Sequence, residues 1–131
     1  MKPIFVDTSA LYAYLVATDV NHPRAKEIGQ HLLQTNHPLL THSFSVCEAV
    51  ALLHFRIGLE AVRQWEETIR PLFEIVWVNE AMYTQAMRAL LTMRRAVSLV
   101  DAVSFEVMRA RKLTEAFAFD ADFQQAGFAL L

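Results

Sequence analysis

The stretch Ile4-Phe5-Val6-Asp7-Thr8-Ser9 constrains this chain more than any other. Three large apolar residues in a row read as a short buried strand, and they stop at an acid followed by two hydroxyl residues. Thr8 and Ser9 are helix-start residues, so the segment from Ala10 to Ala17, carrying Leu11, Tyr14 and Leu15, reads as a helix capped by one of them. Asp7 then stands at the carboxyl end of a strand and faces a helix N-terminus. In open α/β sheets, ligands bind at that edge. Taken alone, Asp7 also has a plainer role, as a helix cap or the end of the strand.

The rest of the chain repeats the alternation. Helical periods run over Arg24 to Thr35, from Ser43 or Ser45 to about Phe55, and from Leu59 to Ile69 after Gly58. Two more run from Glu80 to about Met93, behind the cap residue Asn79, and from Ser98 to Arg111. Short apolar runs separate them: Leu39-Leu40-Thr41, then Leu72 to Val78 as a core strand, then Ala116 to Phe119. Phe128 to Leu131 adds a short edge strand. Interleaved strands and helices without a linker or repeat predict one α/β domain spanning residues 1–131.

Composition narrows what such a unit does. A chain of 131 residues is long enough for one core. With 54% apolar and 20% charged residues it has more apolar surface than a monomer needs, which predicts a dimer or a tight partner. The net charge of −2 gives no global basic field, so nucleic-acid binding would need a local patch. A single cysteine, Cys47, permits no internal disulfide and suits a reducing cytoplasm. No apolar run approaches the ~20 residues that cross a bilayer, so the expectation is a soluble, cytoplasmic protein.

Two further acids stand where a core should be apolar. Glu48 falls within the stripe Phe44, Cys47, Ala51 and Phe55, and Asp101 within Val97, Ser104, Phe105 and Met108. A desolvated, unpaired carboxylate costs several kcal/mol, and no lysine or arginine occupies matching helical positions. Ser45-Val46-Cys47-Glu48 and Ser98-Leu99-Val100-Asp101 also match the serine-x-x-acid capping box, which is the structural alternative for each acid alone. Asp120 ends the last clear strand as Asp7 ends the first. If those strands are parallel neighbours and the two helices begin at the same edge, all four acids converge on one pocket. Such an oxygen-lined pocket suits magnesium or manganese, and the chemistry that uses it is hydrolysis of a phosphodiester.

Val6-Asp7-Thr8-Ser9-Ala10-Leu11, Ser45-Val46-Cys47-Glu48, Ser98-Leu99-Val100-Asp101-Ala102 and Phe119-Asp120-Ala121-Asp122-Phe123, in that order, resemble the PIN-domain ribonucleases. The resemblance is strongest to the toxin component of VapBC-type toxin–antitoxin pairs. It implies a three-layer α/β/α sandwich with a mostly parallel sheet, and one or two Mg2+ or Mn2+ ions held by Asp7, Glu48, Asp101 and Asp120. Ser9 matches a polar position that helps hold the cluster. The resemblance further implies RNA as substrate, a cognate antitoxin and a homodimer. It departs at Ala118, where the family often has a hydroxyl residue, and Asp122 would share the role of Asp120 as an outer ligand. Arg94 and Arg95, just before the Asp101 helix, read either as a solvated turn or as contacts to RNA phosphates. Two other classes compete: a PIN-like binding module without catalysis, and a phosphoacceptor signalling domain. The latter lacks the expected pair of acids before the first helix.

Overall fold

The apolar run at the N-terminus is β1 (Ile4–Val6), the middle strand of a five-stranded sheet in the computed structural model of the chain, which describes residues 1–94 and 96–131. Its companions are β2 (Leu39–His42), β3 (Phe73–Val76), β4 (Glu115–Phe117) and β5 (Ala129–Leu130), in the order β3-β2-β1-β4-β5. Every pairing is parallel, with Ile4 opposite Leu39 on one side of β1 and Phe5 opposite Ala116 on the other. Parallel neighbours need crossovers, which the helices supply. They are α1 (Thr8–Leu15), α2 (His22–Gln34), α3 (Ser43–Arg56), α4 (Leu59–Gln64), α5 (Glu80–Thr92), α6 (Leu99–Ala110) and the short α7 (Asp122–Gln125).

Alternation along β1 divides the core into two halves. Ile4 and Val6 pack with Leu11 of α1, Ile28 of α2, Leu53 of α3 and Trp65. Phe5 faces the opposite way, among Phe105 and Met108 of α6, Ala86 of α5 and Phe123 of α7. The result is three layers, helix on sheet on helix. Phe5 is fully buried. Burial of a side chain that size contributes ~1.5–3 kcal/mol, so the residue two before Asp7 anchors the strand that carries it.

Several local expectations change. The cap of α1 is Asp7 itself, which accepts from the Ser9 backbone N–H, so the helix begins at Thr8. Likewise α3 begins at Ser43 behind a histidine cap, His42, and the capping box at Ser45–Glu48 does not form. The inward face of α3 is Ser45, Ala49 and Leu53; Cys47, Glu48 and Ala51 are exposed, and Phe55 is 93% exposed. The predicted stripe was therefore turned from the real one, because apolarity marked Phe55 as inward where small residues pack closer. Glu48 consequently lies in the second turn, on an exposed face. The run predicted as a core strand is β3, an edge strand whose side chains are half-buried or exposed. Exposed apolar residues include Trp77, Tyr83, Leu91, Phe55, Ile57 and Leu59.

Candidate metal centre

Parallel pairing of β1 with β4 brings the two chain regions that carry acids to one edge of the sheet. The backbone N–H of Asp7 donates to the Phe117 carbonyl at 3.0 Å, which continues the ladder one step past β1. Asp7 is only 4% exposed. Its Oδ2 accepts from the Ser9 N–H at 3.1 Å and from the Ser9 hydroxyl at 2.7 Å. The same hydroxyl accepts from the Phe119 N–H at 3.0 Å. Ser9 thus ties the acid at the end of β1 to the segment beyond β4, where Asp120 follows. Burial raises the pKa of Asp7 above the usual carboxylate range; the Ser9 bonds oppose this and the charge of Asp120 adds to it.

Asp101 enters from the other side. Ser98 caps α6 by accepting from the Asp101 N–H at 3.0 Å, so the backbone half of the predicted capping box is present. The Asp101 carboxyl faces inward, 8% exposed. Its pKa is pushed up to about 8, first by burial, then by the charge of Asp7, then by the charge of Asp120 and a side-chain hydrogen bond with it, and last by Asp122.

Asp120 lies three residues past the end of β4 and Asp122 opens α7, where the Asp122 N–H donates to Asp120 Oδ1 at 2.9 Å. One carboxylate oxygen from each of Asp101, Asp120 and Asp122 falls within 4.8 Å of the others. Asp122, read from sequence as a supporting residue, is therefore one of the three closest acids, because α7 turns it back toward the pocket. Its distance past the strand end hid this. No salt bridge among the described residues reaches Asp7, Asp101 or Asp120.

Such a donor set fits a hard divalent cation. Every ligand on offer is a carboxylate oxygen, and among the described residues the buried Asp7 and Asp101 have no cationic partner. Magnesium and manganese bind through one or two carboxylates and keep several waters, which a half-open group of this size allows. Glu48 stands apart from the close trio, on the exposed face of α3. The first turn of that helix nevertheless borders the site, since the Thr8 hydroxyl donates to the Ser45 carbonyl at 3.2 Å. Ala118 is buried among apolar residues beside Phe5, and the hydroxyl that reaches this segment is Ser9 instead. Arg94 is exposed, and Arg95 lies outside the described residues.

Sequence and structure comparisons identify the family and the fold. The family model for the PIN domain matches residues 4–129. The 23S rRNA-specific endonuclease VapC20 of Mycobacterium tuberculosis is 33% identical over 95% of both chains. The crystal structure of VapC20, described as a sarcin-ricin loop cleaving toxin, superposes with a TM-score of 0.85 over 96% of each chain. FitAcB from Neisseria gonorrhoeae shares the fold, with a TM-score of 0.71 at 18% identity over 98% of this chain and 96% of its own.

Proposed function

The chain belongs to the PIN-domain family, and from that premise we propose that it is a divalent-metal-dependent endoribonuclease, the toxin of a toxin–antitoxin pair. The observation that carries the reading is the convergence of Asp101, Asp120 and Asp122 within 4.8 Å, beside the buried Asp7, in a chain one-third identical to an rRNA endonuclease over 95% of its length. Asp7 and Asp101 would hold the ion, with Asp120 and Asp122 completing its surroundings. Bound there, magnesium or manganese supplies positive charge to a scissile phosphate and acidifies a coordinated water. Ser9 keeps the Asp7 carboxylate aimed into the pocket. Glu48, exposed on α3 whose first turn meets Thr8 through the Ser45 carbonyl, would orient the attacking water. Arg94 and Arg95 would contact RNA phosphates before the Asp101 helix.

A domain of this size would work as a homodimer in the cytoplasm. Exposed Trp77, Tyr83 and Leu91 support an interface between copies, and among the described residues no helix is long and apolar enough to cross a membrane. Light scattering at tens of micromolar tests the assembly. A monomer would remove that part of the reading.

Activity is tested with purified protein, manganese and two RNAs: intact 23S rRNA and a short hairpin copying its sarcin–ricin loop. Cleavage that requires the metal and stops with a chelator supports the reading. Protein that binds RNA without cutting it in manganese or magnesium would leave the non-catalytic binding module in its place.

A further inference from the structure

One buried polar group has no part in the chemistry above. His42, the last residue of β2, is fully buried and caps α3. Its Nδ1 accepts from the Ser45 N–H at 3.3 Å. That leaves the ring proton on Nε2, which sits 2.8 Å from the Ser104 hydroxyl and 3.2 Å from the Ser45 hydroxyl. The Ser104 hydroxyl donates onward to the Val100 carbonyl at 3.0 Å, the residue before Asp101. The ring is held on its faces as well, stacked on Phe5 at 5.7 Å and edge-on to Phe44 at 6.3 Å.

This arrangement is more than a cap. Asparagine or serine caps a helix with less buried polarity, and leucine fills such a space without needing partners. An imidazole does one thing neither can: it reaches two helices at once. Its Nδ1 edge fixes the first turn of α3, while its Nε2 edge fixes the first turn of α6 through Ser104. Burial also keeps the ring neutral, lowering its pKa to about 4, so the donor and acceptor edges stay assigned.

We propose that His42 is a positioning residue for the metal centre: by bridging Ser45 of α3 to Ser104 of α6 it sets the approach of Asp101 to Asp7 and Asp120. The need for such a device follows from the charge of the site. Carboxylates gathered without a cation push one another apart, and Asp101 rides on a helix otherwise held by apolar packing, mainly against α5. A ligand held by well-ordered partners binds metal about 10–100-fold more tightly than one left loose. The inference rests on the metal-site reading above.

The test uses two variants whose effects run in opposite orders. His42→Asn keeps an acceptor for the Ser45 N–H but is too short to reach Ser104. His42→Gln reaches Ser104 but caps less well. Thermal melts in chelator should rank Asn above Gln, whereas Mn2+ affinity by calorimetry should rank Gln above Asn, with Asn weakened about tenfold against the parent. If Mn2+ affinity follows the stability order, or neither variant changes it, His42 is only a cap and the proposal is overturned. Should both fail to fold, Ser104→Ala removes the bridge from the other side and should weaken Mn2+ several-fold; unchanged affinity there overturns the proposal equally. Failure of the parent itself to bind Mn2+ is a different result, and would sink the metal-site reading.

Discussion

The side chains of Asp101 and Asp120 meet across the gap between α6 and the segment after β4, with a carboxylate oxygen of each within 4.8 Å of the other. Two carboxylates held that close repel each other when both are ionised, and burial favours a proton on one of them. That proton belongs with Asp101, whose pKa is raised to about 8 by burial and by three neighbouring acids.

The first consequence concerns stability without metal. In the unfolded chain Asp101 ionises near pH 4, while in the folded chain it stays neutral to about pH 8. Between those values the native state binds the extra proton, so stability falls as pH rises, and the loss is complete above pH 8. Asp101→Asn, which imitates the neutral acid, should therefore raise the melting temperature in chelator at pH 8 and change it little at pH 5. Each kcal/mol relieved would appear as about 4 °C in a domain of this size. Equal shifts at both pH values would show that Asp101 is not the group responsible.

Metal binding must displace the same proton. Manganese titrated calorimetrically at pH 7 into the protein in PIPES and in Tris should give different apparent enthalpies, corresponding to release of about one proton per ion. In Asp101→Asn the difference should shrink, leaving only what Asp7 releases. A parent protein indifferent to buffer would mean that Asp101 is already ionised.

The acids should separate by experiment according to where they stand. Asp7→Asn and Asp101→Asn should each lower RNA cleavage by ~10²-fold or more. Asp122→Asn should weaken Mn2+ measurably, since its carboxylate is one of the close trio. Glu48→Gln should lower the rate with little change in Mn2+ affinity, because Glu48 is exposed and apart from that trio. Tighter or weaker Mn2+ binding by tenfold in Glu48→Gln would instead make it a direct ligand.

Ser9→Ala should harm both fold and site. It removes the 2.7 Å bond to Asp7 and leaves the Phe119 N–H without its 3.0 Å acceptor. A part-buried donor left unpaired costs about 1–3 kcal/mol, and urea melts should show a loss in that range. Ser9→Thr keeps the hydroxyl and should recover most of it. A Ser9→Ala protein as stable as the parent would mean that water replaces the hydroxyl.

Much of the site was legible in the sequence because its cues are local. An apolar run that stops at Asp7 and a serine three residues before Asp101 each announce an element boundary, and the acid is read against it. Parallel order followed from the alternation of strand and helix. What escaped were facts set by distant partners. Phe55 reads as core by apolarity, yet α3 turns it to solvent, because Ser45, Ala49 and Leu53 make the closer contact. Nothing near His42 announces a partner 62 residues away. Asp122 enters the trio through α7, a helix too short to show a period.

The strand order carries a consequence for the time at which this pocket comes into being. β1 is made first, yet its partner β4, with Asp120 and Asp122 behind it, is made more than a hundred residues later. A nascent chain still lacking that last stretch holds Asp7 and Asp101 but has no β4 to close the sheet and no third or fourth acid. The pocket is thus completed only once β4 and the segment behind it have joined β1, long after Asp7 has been made.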